Sequence, residues 1–335
     1  MRSQSTISSH SATQSLLWDD RNFAELDGEL ERTGTGAWVT GGSFSDIWKG
    51  IWIPPNGKPI PVAIKCLRIT QNFDEPELIA ARTILNLNRI KREILIWKNA
   101  RHKYILPLLG WRSAEFDPPE PCIVTPWCQR GHLARYCQET NPSTVSRLNW
   151  LLHAAEGIEF MHTQTPPLVH GDIKAENVLI TDNDQVAWCD FGLARATQEC
   201  VTGLTTRGGH GTAGFIAPEI FFEEDAKVTS SSDIYALGGL IIQVLSDTIP
   251  FYGWSDGSII LFFAQERPYP RDLHPMIPNN ATVWGIIERC QMMAPADRAS
   301  ISVVIGELRQ ELAHCQGSGV LRTVVSPSSP SHVDE

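Results

Sequence analysis

The stretch LVHGDIKAENVLI, residues 168–180, decides how the chain is read. Apolar Leu168 and Val169 run into a polar cluster of His170, Asp172, Lys174, Glu176 and Asn177, and the apolar run resumes at once with Val178, Leu179 and Ile180. That pattern is a loop held between two buried strands. Asp172 and Asn177, five apart in the loop, aim two oxygen-bearing side chains at one spot. One suits a hydroxyl that must give up a proton, and the other suits a hard cation.

Working outward, VAWCDFGLAR carries Asp190 at the end of a β-type run, followed by Phe191 and Gly192. A second carboxylate there suits magnesium, which takes one or two carboxylates and fills its remaining positions with water and phosphate oxygens. In isolation each acid reads more readily as a solvated loop residue, and the order of the other elements overturns that reading. PVAIKCL places Lys65 on an apolar strand, where an ammonium needs an acid and a phosphate to stay charged. Glu93, in RIKREILIW on a long helical pattern, is the natural acid. Upstream, VTGGSFSDIWKG is a glycine-bearing turn between strands that can fold backbone N–H groups over phosphates.

The totals agree with such a protein. A chain of 335 residues, 42% hydrophobic and 20% charged, makes one large or two small domains with a full core. The formal charge of −10 argues against a nucleic-acid groove or a membrane-surface patch. It leaves an anionic substrate open, because screening over ~8 Å lets a local charge cluster outweigh the total. The N-terminus lacks the continuous apolar core of a secretory signal. No apolar run approaches the roughly 20 residues of a spanning helix. The eight cysteines are scattered without a C-x-x-C pair, and the ten histidines show no metal spacing. The expectation is a reduced, intracellular, cytoplasmic protein without structural zinc.

Composition shifts predict flexible tails over residues 1–32 and 315–335, the first rich in Ser, Thr and Gln and the second in Ser and Pro. Between them, residues 33–125 mix short β-type runs (SDIWKGIW, IPVAIKCL, PCIVTPW) with one helical pattern, ELIAARTILNLNRIKREILIWKNA. Residues 131–314 are mainly helical, as in TVSRLNWLLHAAEGIEFMH and SSSDIYALGGLIIQVL. The expectation is a small sheet-rich lobe, a hinge over 126–130 and a larger helical lobe, with a cleft between the lobes.

These runs, in this order, resemble the eukaryotic protein kinases: GGSFSDIWKG, VAIK, the helix with Glu93, HGDIKAEN, DFG, APE at 217–219, SSSDIYALGG with Asp233, and APADRAS with Arg298. REILIWKNARHKYILPLLGW is most similar to the tyrosine-kinase-like group of serine/threonine kinases. The resemblance implies an α+β, two-lobed fold, with an antiparallel sheet and one long helix in the small lobe. It implies a serine/threonine kinase that uses ATP and Mg²⁺ on protein substrates. Lysine two residues after the aspartate, together with GTAGFIAPE, points to serine or threonine acceptors, with Thr212 bridging Asp172 and Lys174.

On that resemblance Asp172 handles the substrate hydroxyl proton, Lys174 steadies the transferred phosphate, and Lys65 pairs with Glu93 and holds the nucleotide phosphates. Asn177 and Asp190 hold magnesium. Gly42 and Ser43 cover the phosphates. Ile47, Ala63, Leu179, Thr125, Pro126 and Cys128 surround the adenine, Pro126 offering a carbonyl but no N–H. Glu219 and Arg298 form a buried ion pair, and Asp233 anchors the backbone of the loop.

Four departures from the pattern stand out. The glycine loop has Thr40 and Ser45 beside Gly42 where three glycines are usual. Gly171 replaces the arginine before the aspartate, which removes a cation for a phosphorylated activation loop, although Thr197, Thr202, Thr205 and Thr206 offer sites. The interval from Lys65 to Glu93 is long, and Ala299 follows Arg298 where proline is common. Two other functions fit part of the pattern. A scaffold that has lost transfer would explain the altered glycine loop, and a small-molecule phosphotransferase would explain His-Gly-Asp but not APE or Lys174.

Overall fold

The computed structural model describes residues 25–33, 40–41, 45–67, 93–113, 121–191, 195–196, 213–223, 226–265, 267, 269–277 and 281–317. The chain divides into two compact units, one holding residues up to 101 with 107–127, and the other 102–106 with 128 onward.

The first unit is built on an antiparallel sheet. Its strands are β1 (Glu29–Arg32), β2 (Thr40–Gly41), β3 (Ser45–Ile53), β4 (Ile60–Leu67), β5 (Gly110–Ser113) and β6 (Pro121–Pro126). The order is β1-β3-β4-β6-β5, with β2 also paired to β3. Strand alternation puts Val62, Ile64 and Cys66 on one face, where they are buried with Cys122, Val124 and Leu26. Ala63 and Lys65 therefore stand on the other face. Helix α1 (residues 93–99) buries Glu93, Ile94 and Trp97; the rest of its expected pattern lies outside the described residues.

Residues 25–32, expected in the N-terminal tail, instead complete this unit. Leu26 is buried and its N–H donates to Trp111 O at 2.8 Å. Trp52 Nε1 donates to Asp27 O and Arg112 Nη1 to Gly28 O, each at 2.7 Å. Gly28 turns the chain at φ +97°, where a Cβ would lie 2.1 Å from Ile53 O. Composition missed this because one leucine and a four-residue strand paired with β3 carry little compositional signal.

The second unit is mainly helical: α2 (Leu133–Thr140), α3 (Thr144–His162), α4 (Pro218–Phe222), α5 (Ser230–Ser246), α6 (Asp256–Ala264), α7 (Ala281–Cys290) and α8 (Ile301–Gly317). Helix α8 runs past residue 314, into the stretch assigned to the C-terminal tail. Two small antiparallel pairs accompany the helices, β7 (Leu168–Val169) with β10 (Arg195–Ala196) and β8 (Val178–Ile180) with β9 (Val186–Trp188).

Helix α5 is the axis of this unit. It starts from a capping box between Thr229 and Ser232, and every residue from Ser232 to Ser246 is buried. A helix apolar all round sits inside a core, so its few polar side chains must find partners there. Beyond its end, Arg147 of α3, 1% exposed, grips Asp247 with two bonds of 2.7 and 2.9 Å and donates to Val244 O. Among the described residues no helix is long and apolar enough to cross a membrane. The fold is that of the expected class, an antiparallel sheet unit followed by a larger helical one.

Candidate active site

In the sheet unit, β4 pairs antiparallel with β3 and β6, and the register sets Lys65 opposite Ile47 and Ile123, and Ala63 opposite Thr125. Directly paired residues share a face, so Ile47, Ala63, Lys65 and Thr125, all expected around the nucleotide, come to one side of the sheet. Lys65 Nζ lies 2.8 Å from Glu93 Oε1, with the side chains 14% and 4% exposed. Out of water an ammonium needs a counter-charge, and Glu93 supplies it across 28 residues. The N–H of Trp127 is taken by Pro61 O at 3.0 Å, and Pro126 has none, so acceptors dominate the backbone of residues 126–127. Gly42 and Ser43 lie outside the described residues.

Cys128 belongs to the helical unit, and burial pushes its thiol up to about 11, with the Asp182 charge adding to the effect. Leu179, half-buried on β8, pairs with Ala187.

The loop between β7 and β8 is fixed by α5. One carboxylate, Asp233, accepts from His170 N, Gly171 N and His162 Nε2, each at 2.9 Å. Ten residues further along the same helix, Gln243 Oε1 accepts from Ala175 N at 2.9 Å while its Nε2 donates to Glu176 Oε1 at 2.8 Å. Ten residues of helix rise about 15 Å, so one rigid rod grips the loop on both sides of Asp172. Gly171 takes φ +77°, a conformation costing other L-residues roughly 1–2 kcal/mol. The glycine that removes the usual cation also makes this turn without strain. His170, fully buried, accepts from Asp172 N at Nδ1 and donates through Nε2 to Cys189 O, each at 3.3 Å.

Within this frame Asp172, Lys174 and Asn177 form one cluster. Lys174 Nζ reaches both Asp172 oxygens, at 2.9 and 2.7 Å. Asn177 Nδ2 donates to Asp172 O and Oδ2, both at 2.8 Å, so the amide's other polar atom is the acceptor Oδ1. Cys189 N donates to Asn177 O at 2.9 Å, tying the residue before Asp190 to the loop. Asp190 itself holds φ +62°, an uncommon backbone for a non-glycine that recurs at functional sites. A cavity of about 40 Å³ beside Asp172, lined by Gly171, Ile173, Phe215, Ile216 and Ala217, is too small for a nucleotide.

Supporting this arrangement, Arg298 clasps Glu219 with bonds of 2.8 and 2.6 Å, its side chain 1% exposed, and donates Nε to Met292 O. Thr212, Thr197, Thr202, Thr205 and Thr206 lie outside the described residues. Sequence reasoning missed Gln243 and His162. A lone glutamine inside LIIQVL on a helix buried all round was the available signal, since such an amide must be satisfied internally.

Residues 35–308 match the family model of the protein tyrosine and serine/threonine kinases. The chain is 28% identical to the serine/threonine-protein kinase CTR1 of Arabidopsis thaliana, over 88% of this chain and 32% of that protein. It is 25% identical to the serine/threonine/tyrosine-protein kinase HT1 of the same plant, over 85% of this chain and 68% of that protein. With the mitogen-activated protein kinase kinase kinase zak-1 of Caenorhabditis elegans it shares 24% identity, over 90% of this chain and 37% of that protein. The chain thus spans about a third of the length of several relatives it matches. By its matched span and by the order of its motifs, the chain belongs to the protein tyrosine and serine/threonine kinase family, in the tyrosine-kinase-like group.

Proposed function

We propose that the chain transfers the γ-phosphate of Mg-ATP to serine and threonine hydroxyls of proteins. The observation that carries this reading is the cluster of Asp172, Lys174 and Asn177, locked by Asp233 and Gln243 on one buried helix. Phosphoryl transfer asks the protein mainly for positioning and charge stabilisation, and this loop supplies both.

The donor set fits magnesium. Asn177 presents Oδ1 because its amide nitrogen is engaged, and Asp190 adds a carboxylate, both hard oxygens. Asn177 and Asp190 are the residues that would hold the ion, which when bound neutralises phosphate charge. Lys65, kept charged by Glu93, binds phosphate oxygens of the nucleotide. Asp172 accepts the acceptor hydroxyl's proton at a carboxylate oxygen, and Lys174, already on that carboxylate, holds the transferred phosphate's charge beside it. Ile47, Ala63, Thr125 and Leu179 offer apolar contact to the base, with the Pro126 carbonyl and the Cys128 backbone as its polar partners. Without a cation at Gly171, strict dependence on activation-loop phosphorylation is less expected.

The test is transfer of labelled γ-phosphate to serine/threonine peptides, tyrosine peptides and small-molecule alcohols, beside an Asp172→Asn variant. Serine/threonine labelling that vanishes in the variant supports the reading. Folded protein that binds Mg-ATP and labels nothing overturns it in favour of a scaffold, and labelling confined to small alcohols overturns it in favour of a small-molecule enzyme.

A further inference from the structure

The last turns of α8 bring together three side chains that phosphoryl transfer does not use. Glu311, His314 and Cys315 occupy positions i, i+3 and i+4, and at 3.6 residues per turn they fall within one arc of about 100°. Their ligand atoms lie within 4.8 Å of one another. Burial is graded across the three: Glu311 is 4% exposed, Cys315 half-buried and His314 exposed. Cys315 Sγ donates to Glu311 Oε1 at 3.7 Å, so the thiol and the carboxylate already point at each other.

We propose that Glu311, His314 and Cys315 form a binding site for a divalent ion of the zinc class, with a fourth position open to solvent. Three features of the site lead to this ion. Thiolate, imidazole and carboxylate are the ligand types zinc takes, and three protein ligands with an open position is a known zinc arrangement. Thiolate disfavours the hard magnesium ion that kinase chemistry uses, so this site and that one select different metals. The cluster also sits at the C-terminal end of a 17-residue helix, where the negative end of the helix dipole favours a cation.

Ligands at about 2.0–2.3 Å from a tetrahedral zinc stand roughly 3.3–3.8 Å apart. The present separations close to that by rotation of the exposed imidazole, while buried Glu311 stays fixed. On binding, the thiol proton now donated to Glu311 leaves to solvent and the sulfur lone pair forms the metal bond, releasing one proton per ion. The sequence reading expected no metal among the histidines, because it looked for paired histidines or paired cysteines. A mixed E-x-x-H-C set becomes a site only once a helix puts the three on one arc.

The probe is Co²⁺, titrated into the full chain under a phosphine reductant. The expected result is near-ultraviolet thiolate-to-cobalt charge-transfer absorption with one ion bound, displaced by Zn²⁺. Cys315→Ser abolishes the absorption, and His314→Ala weakens cobalt binding by at least about tenfold, as befits loss of a ligand. Zn²⁺ raises the melting temperature of the parent chain and not that of Cys315→Ser, because an ion bound to the folded state alone stabilises it. Both substitutions are at partly or fully exposed positions, and melting without metal checks that each variant folds. Absence of the charge-transfer absorption overturns the proposal. So does absorption that persists unchanged in Cys315→Ser, which would place the thiolate elsewhere, Cys189 beside Asp190 included.

Discussion

The two units hold their reactive side chains in different ways. In the sheet unit, Lys65 is paired at 2.8 Å with Glu93, a helix residue 28 positions on. In the helical unit, Asp172 is held by its neighbours Lys174 and Asn177, and the loop beneath it by Asp233 and Gln243. The difference teaches that the pair joins two elements far apart in sequence by opposite charge, whereas the loop is secured by several neutral and charged clamps. Removing one partner of a buried pair leaves the other short of its counter-charge, whereas the loop retains other clamps when one is lost.

Asp172→Asn should have the largest effect on turnover, lowering it by roughly 10²–10⁴ as expected for loss of a positioned acid–base group. Binding of Mg-ATP, followed by calorimetry, should change little. An equal loss of affinity would mean that the cluster serves binding rather than transfer.

Lys65→Met breaks the other side of the comparison. It leaves Glu93 buried without its ammonium, a change that costs about 3–5 kcal/mol when a buried pair is broken. Denaturant unfolding should show that loss, and Lys65→Met combined with Glu93→Leu should recover much of it, because the stranded charge is then gone. No recovery would mean the pair does not act as a unit.

Acid should strain the helical unit through His274, which is 1% exposed. Its Nε2 lies 2.9 Å from the Tyr269 hydroxyl, and Nδ1 faces Ser246 Oγ and Thr248 Oγ1 at 3.1 and 3.0 Å. Ser246 donates its own proton to Ile242 O, and Tyr269 accepts from Phe251 N while keeping a proton to give. One ring nitrogen therefore donates, the other accepts, and burial lowers the pKa to about 4. The unfolded chain takes up a proton near 6.5 that the native state resists until about 4. Stability from this group is thus complete above pH 6.5 and falls by ~3 kcal/mol as pH drops to 4. His274→Gln should flatten that part of the stability profile, and an unchanged slope would refute the assignment.

Leu26→Ala tests whether residues 25–32 are part of the sheet unit. A buried leucine truncated to alanine costs ~2–5 kcal/mol, and a site near the edge of a core should lie at the low end. Thermal melting that shows no loss would return this segment to the tail. Gln243→Leu should be the mildest, costing about 1–3 kcal/mol for the unsatisfied Ala175 N–H. Turnover should fall while the KM for ATP stays put. A collapse as deep as that of Asp172→Asn would show that the loop is less redundant than its bonds suggest.

Much of the candidate site was legible because its chemistry lies in short motifs. Asp172, Lys174 and Asn177 share six residues, so the loop that unites them needs no knowledge of the rest of the chain. Lys65 and Glu93 were legible as a pair through charge, since each needs the other when buried. The strap at 25–32 was not, because its hold is main-chain bonding to Trp111 and two side-chain donors from β3 and β5. Nor was Gln243, whose partners lie 67 and 68 residues away.

By itself the sequence determined which side chains carry charge and donor atoms, their local spacing, and an alternation that separates the strands' buried residues from Ala63 and Lys65. Those are properties of periodicity and composition, written within a few residues of each other. Tertiary structure decided what holds them still: one helix, buried all round, whose few polar groups had to be satisfied internally and were satisfied by the loop that carries Asp172.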